Sequence, residues 1–153
     1  MRRLRSLLPL LLLAVAASCM DSAPFVPQIA TASFAPSLNV DIANSVMTAT
    51  GLYYRDIVVG AGAQVPMTSG ASVTTTYAGY LRNGTQFDAG NLPAFTTGAG
   101  AVIAGFDEGV RGMRVGGQRQ LIIPPALGYG SQGQNSIPGN SILVFLITLT
   151  ATN

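Results

Sequence analysis

The chain has no histidine and no tryptophan, and a reading of its 153 residues finds no lysine. It has one cysteine, and only 9% of its residues are charged. Each shortage closes off chemistry. Without His, the usual general base near neutral pH is missing. Without Lys there is neither a Schiff-base amine nor the lysine of a phosphate-binding loop. A single cysteine forms no disulfide within the chain. The carboxylates Asp88, Asp107 and Glu108 are too few and too scattered for a metal cluster, so neither metal nor cofactor is expected. Asp107 and Glu108 read as acids at a helix start, opposing the positive end of its dipole. Gly98-Ala99-Gly100 lies in no parallel βαβ unit and is not a dinucleotide fingerprint.

Positive charge is also scarcer than the formal net charge of +2 suggests. Arg2, Arg3 and Arg5 crowd the first five residues; without that end, five arginines face six acids, a balance of −1. No basic patch for nucleic acid remains.

What the sequence does contain begins with a targeting signal. Met1-Arg2-Arg3-Leu4-Arg5 is a positive n-region, and Leu7 to Ala17 is an apolar run too short to span a bilayer comfortably. Ala16-Ala17-Ser18-Cys19 then resembles the lipobox of bacterial lipoproteins, with Ala16 where leucine is usual. This predicts cleavage before Cys19, lipid attachment to it and membrane anchoring, facing the periplasm or the cell exterior. The plainer alternative is an ordinary cleaved signal with an incidental cysteine. Residues 20–50, rich in Ala, Ser, Thr and Pro, read as a partly ordered arm. Phe25, Phe34, Leu38, Val40 and Ile42 could dock on the domain, the last three as a short extended piece.

Beyond the arm, Leu52 to Val59, Ser72 to Leu81, Gln118 to Ile123 and Ile142 to Thr150 read as strands. Thr85 to Asp88 returns from an Asn83-Gly84 turn expected to be type I′, and Phe95-Thr96 is a further short strand. Phe106 to about Arg114 is the convincing helix, with Gly116-Gly117 to close it. Tyr129 to Ser141 is a loop. The expected fold is α+β, an antiparallel sheet wrapped on one short helix.

Apolar and aromatic side chains with a few polar groups are left to carry function. Val102 to Gly117, VIAGFDEGVRGMRVGG, looks like the floor of an apolar pocket. Phe87, Val102, Ile103, Phe106, Tyr77, Tyr129, Ile137 and Phe145 supply apolar surface; Asp88 and the tyrosine hydroxyls supply polar contacts. Rotation about an X–Pro bond needs no acid, base, nucleophile or metal. Its barrier, roughly 18–20 kcal/mol, is amide resonance, and an apolar cleft that strips water from the planar amide favours the twisted form.

Four ordered stretches carry a family resemblance: TTYAGYLRNGTQFDAG (Thr75 to Gly90), VIAGFDEGVRGMRVGG, IPPALGYG (Ile123 to Gly130) and IPGNSILVF (Ile137 to Phe145). Together they resemble the FKBP-type peptidyl-prolyl isomerases, the macrolide-binding immunophilins, over roughly Gly51 to Thr150. The resemblance implies a half-barrel, a curved antiparallel sheet folded around one helix. With the targeting signal and the arm, this divides the chain into a signal peptide (1–18), a lipid-anchored tether (19–50) and the isomerase domain (51–153). The resemblance places Phe106 under the proline ring and makes the Ile103 N–H and the Tyr129 hydroxyl donors to the bound chain. Asp88 polarises the site through Tyr77 or the ligand; Phe87 and Phe145 wall it; Val102 and Ile137 line it. The implied partners are proline-containing folding polypeptides and macrolides.

The chain departs from the family at Phe106, where Trp is most common, at Pro93, which replaces an aromatic wall residue, and near Gln134, where the loop is shorter and lacks a histidine. Binding is expected to survive these changes better than turnover or macrolide affinity. A peptide-holding module with negligible turnover is therefore the competing reading.

Overall fold

The computed structural model describes residues 28–153. The predicted signal segment, Cys19 and Phe25 lie outside the described residues. Six strands form one antiparallel sheet: β1 (Val46–Met47), β2 (Tyr53–Val58), β3 (Ser72–Leu81), β4 (Gln86–Thr96), β5 (Gln118–Ile123) and β6 (Leu143–Thr152), in the spatial order β1-β2-β5-β6-β3-β4. One helix, α1 (Ala104–Val110), packs on one face. The fold is the expected α+β arrangement, a curved antiparallel sheet with one short helix.

The central strands are apolar on both faces because both faces are covered. Leu121, Ile123, Leu143, Phe145 and Ile147 enter the core beneath α1. Ile122 and Val144 point the other way, into a second cluster with Ile29, Leu38 and Ile142. Ile29 and Leu38 of that second cluster come from the arm. Phe34, Val40 and Ile42 also dock there, but not as an extended piece. Pro36–Leu38 is a 3₁₀ turn, and Asn39 follows in the left-handed region at φ 49°. Gln120 Nε2 donates to the Leu38 carbonyl across 2.7 Å and ties the turn to β5.

The helix is shorter than the predicted Phe106 to Arg114 span and is not closed by Gly116-Gly117. Arg111 is already extended at its end. Residues 112–115 pair instead with residues 63–65: Gly112 N–H donates to Val65 O, Val65 N–H to Met113 O and Val115 N–H to Ala63 O. Those cross-chain bonds replace the ones a longer helix would make. Gly105 and Gly109 let α1 lie flat on β5. A β-carbon at Gly105 would clash with the Ile123 side chain, and one at Gly109 with Leu121.

The turn between β3 and β4 is not type I′. Gly84 N–H donates to Leu81 O, Leu81 N–H donates to Thr85 O, and of the two turn residues only Gly84 has positive φ. This is a three-residue loop, a type I turn followed by a left-handed glycine. Asn83 Oδ1 accepts the Thr85 N–H and stabilises the turn. The two predicted short strands after it are one continuous β4. Its register slips twice against β3, between Val73 and Thr75 and between Gly79 and Tyr80. Pro93, which has no N–H to give a ladder, falls in the first irregularity of this edge strand.

Candidate functional site

The second slip builds the site. Gly79 pairs with Asp88 and Tyr80 with Gln86, so Phe87 is an extra residue in β4. Neighbouring side chains on a regular strand point to opposite faces. The bulge turns both Phe87 and Asp88 toward the helix side. The Phe87 ring meets Phe145 edge-on with centroids 5.5 Å apart, and Asp88 Oδ2 accepts the Tyr77 hydroxyl across 2.7 Å.

An aromatic cluster forms around these residues. Phe106 stands edge-on to Tyr77 at 6.0 Å and to Phe145 at 5.5 Å. Phe95 closes its other side at 6.1 Å. Edge-to-face contacts at such spacings suit the ring quadrupoles. Val102, Ile103, Phe87, Tyr77 and Tyr129 are half-buried around this cluster, so each keeps some surface toward solvent. Phe106, Phe145 and Ile137 are almost covered, at 3%, 4% and 8% exposure. The nine predicted residues thus converge in two layers: a buried floor of Phe106, Phe145 and Ile137, and an accessible rim of the other six. Ile137 is held by a reciprocal backbone pair with Gln134 at the loop tip.

Polar groups in this setting are few and protonated where they need to be. The Tyr77 hydroxyl is pushed up to about 12, first by its hydrogen bond to Asp88 and then by burial and the Asp88 charge. Burial, then the same Asp88 charge, raises Tyr129. Tyr129 sits in the loop after the 3₁₀ turn Pro125–Leu127, between Gly128 and Gly130, and Gly130 has φ 61°. The Ile103 carbonyl accepts the Phe106 and Asp107 N–H groups and starts α1. Among the described residues the Ile103 N–H itself has no partner, which leaves a donor at the rim.

Asp107 belongs elsewhere. Its two oxygens take the Gly98 N–H, at 2.6 Å, and the Arg111 guanidinium. It pins the loop before Val102 to the helix. It also lies in the first turn of α1, where its charge opposes the positive end of the helix dipole as expected. Glu108 accepts the Thr50 hydroxyl at 2.8 Å. Among the described residues no cluster of Asp, Glu, His or Cys forms a metal site.

The family model for FKBP-type peptidyl-prolyl cis-trans isomerase matches residues 64–150. The chain belongs to this family. FK506-binding protein 3 of Candida albicans is 47% identical over 104 residues, covering 66% of this chain and 24% of that protein. FK506-binding protein 2 of Dictyostelium discoideum is 49% identical over 90 residues, 56% of this chain and 68% of that protein. The chain therefore spans about a quarter of the length of the first of these relatives and about two thirds of the second. The crystal structure of FkpA from Escherichia coli superposes with a TM-score of 0.64 at 34% identity, covering 72% of this chain and 52% of that one.

Two features of this FKBP-type site had no reading in the sequence. Phe95 was assigned only to a short strand, yet it packs on Phe106, on the same side of the sheet as Phe87. Gly79 was not singled out within its strand. A β-carbon there would stand 2.7 Å from Phe87 Cζ and 2.8 Å from Phe145 Cε1, so the two rings meet over it. A cavity of about 1040 Å³ lies on the opposite face, between the arm and residues such as Arg55, Tyr80, Gln120 and Leu146. It includes none of the nine predicted residues. The aromatic site is a shallow dish.

Proposed function

We propose that the chain is a peptidyl-prolyl cis-trans isomerase acting on X–Pro bonds in exported polypeptides. The observation that carries this reading is an apolar aromatic dish whose carboxylate is held by a neutral tyrosine, Asp88 by Tyr77. Such a site has no nucleophile to form an intermediate. It suits a reaction whose barrier is amide resonance alone. Val102, Ile103, Phe87 and Tyr77 would bind the apolar residues around the proline, over a floor of Phe106, Phe145 and Ile137. Stripping water from the planar amide raises its energy more than that of the twisted form, whose carbonyl is less polar. The Ile103 N–H and the Tyr129 hydroxyl would hold carbonyls of the bound chain, and Asp88 would set the local field. Macrolides such as the FK506 for which the relatives are named would compete for the same dish.

The same reading extends to location. The basic n-region, the apolar run and the lipobox-like Ala16-Ala17-Ser18-Cys19 support export, lipid attachment at Cys19 and anchoring to a membrane. Extraction of cells into membrane and soluble fractions tests this. Cys19→Ser should move the protein to the soluble fraction, and a wild type already soluble would refute the anchor.

A second reading is a weakly catalytic peptide holder. The 3% exposure of Phe106 favours it, since a covered floor offers a proline ring little contact. The deciding experiment is cis-to-trans relaxation of a peptide with a hydrophobic residue before proline, run with the purified full chain. Acceleration over the thermal rate, suppressed by a macrolide, supports the enzyme. Binding of the same peptide without acceleration selects the holder.

A further inference from the structure

Among the described residues Arg119 is the most buried charged side chain, and the isomerase chemistry above does not use it. Its side chain is 7% exposed, while that of its ion-pair partner Asp56 is 36% exposed. Nε and Nη2 donate to the two Asp56 oxygens at 2.6 and 3.0 Å. Nη1 donates to the Gly109 and Arg111 carbonyls, both at 3.0 Å. The guanidinium carbon lies 4.4 Å from the centre of the Tyr54 ring.

A buried ion pair is a poor device for stability alone, because its desolvation cost offsets its attraction. This one has a specific geometric task. Helix ends leave carbonyls without partners. At the end of α1 the chain turns away in extended conformation at Arg111. The Gly109 carbonyl is met by Arg119. Gly105 and Gly109 face β5 without side chains, and the Ile123 and Leu121 side chains fill the space over them. A directional polar tie adds a fixed distance and angle to this non-directional packing. The guanidinium, braced on Asp56 of β2 and on the Tyr54 ring, bonds α1 to the sheet near the helix end remote from the dish. Phe106 lies three residues before Gly109, and Ile103 starts the same helix.

We propose that Arg119 is a positioning residue: by holding the Gly109 and Arg111 carbonyls it fixes α1 along β5, and so sets where Phe106 and the Ile103 N–H stand in the dish. Lysine is not a substitute. One ammonium cannot present the planar fork that serves Asp56 and two carbonyls together.

The proposal rests on the isomerase reading for its kinetic arm and is independent of it in its structural arm. In the full chain, Arg119→Lys is measured well below its melting temperature. The expected result is a folded protein whose kcat/KM for an X–Pro peptide falls about tenfold, as small misplacements of a site group do. In the same sample the Ile103 amide and Phe106 ring resonances shift, while those of Asn91 in the edge strand stay. Asp56→Asn loosens the brace and should move the same two resonances less far, with a fall of about threefold. It also serves as the test if Arg119→Lys does not fold. Unmoved Ile103 and Phe106 resonances in the folded variant overturn the proposal and leave Arg119 a stability residue. If the wild type shows no isomerisation, the functional reading fails, but the resonance shifts still decide the positioning role.

Discussion

The Tyr77 hydroxyl donates to Asp88 Oδ2 at 2.7 Å, across a register slip that leaves Phe87 unpaired. The slip and the bond are one device. Without the extra residue, Asp88 and Phe87 would face opposite sides of β4. Asp88→Ala should therefore remove the polar element of the dish while leaving its rings in place. A fall in kcat/KM of roughly tenfold, about 1.4 kcal/mol of barrier, is expected. Tyr129→Phe should cost a similar amount if its hydroxyl holds the bound chain. Tyr77→Phe should cost less, since the carboxylate survives. Equal rates in all three and in wild type, with peptide binding intact, would mean that these groups do not touch the reaction.

The pH dependence follows from the same residues. The chain has no histidine, and Tyr77 and Tyr129 are both raised above the ordinary tyrosine value. Isomerisation should be flat between about pH 6 and 9, where carboxylates and tyrosines do not ordinarily titrate. Through these two tyrosines, stability responds in strong base. A tyrosine with a raised folded value binds its proton more tightly when folded. Its contribution is complete below the unfolded value near 10 and is lost as pH rises toward about 12. A bell-shaped rate profile centred near neutrality would contradict this account.

Gly79 offers a test of the aromatic packing. Alanine there would push its β-carbon to within 2.7 Å of the Phe87 ring and 2.8 Å of the Phe145 ring. Both rings border the dish, and Phe145 also contacts Phe106. Overpacking of this kind costs about 1–3 kcal/mol. Gly79→Ala should lower the melting temperature and weaken peptide binding together. A variant with wild-type melting and binding would show that the rings have room to spare.

How much of this was legible depended on what sets each feature. The strands β3 and β5 were readable because β-branched and apolar residues fill them and turn residues bound them. The membership of the dish was readable from ordered motifs, and the nine residues do converge. Their depth was not, because burial of Phe106 depends on Phe95, and Phe95 reaches it across a strand whose alternation is broken twice. The helix end was misjudged at Gly116-Gly117, because the backbone of residues 63–65 captures residues 112–115 first. No local signal in the helix announces that pairing. Asp107 was readable as a first-turn acid, but its tether to Gly98 was not, because that contact is fixed by the loop's path.

The arm's role was also hidden, and it yields the last prediction. Apolar residues at Leu38, Val40 and Ile42 suggested docking, but only the fold reveals what they cover. Ile122 and Val144 are 0% and 2% exposed on the face opposite the helix, and Leu38 and Ile29 lie against them. Without the arm, that face would present a row of branched side chains to water. Leu38 is 8% exposed, so Leu38→Ala removes most of a buried side chain and leaves a void beside β5. The expected loss is about 2–4 kcal/mol. Because the dish lies on the other face, kcat/KM below the melting transition should stay within about twofold, less than half a kcal/mol. Thermal melting and the X–Pro assay on one preparation separate the two effects. A stable variant with a changed rate would mean that the arm is coupled to the site through the sheet, and a stable variant with an unchanged rate would mean that its docking contributes little.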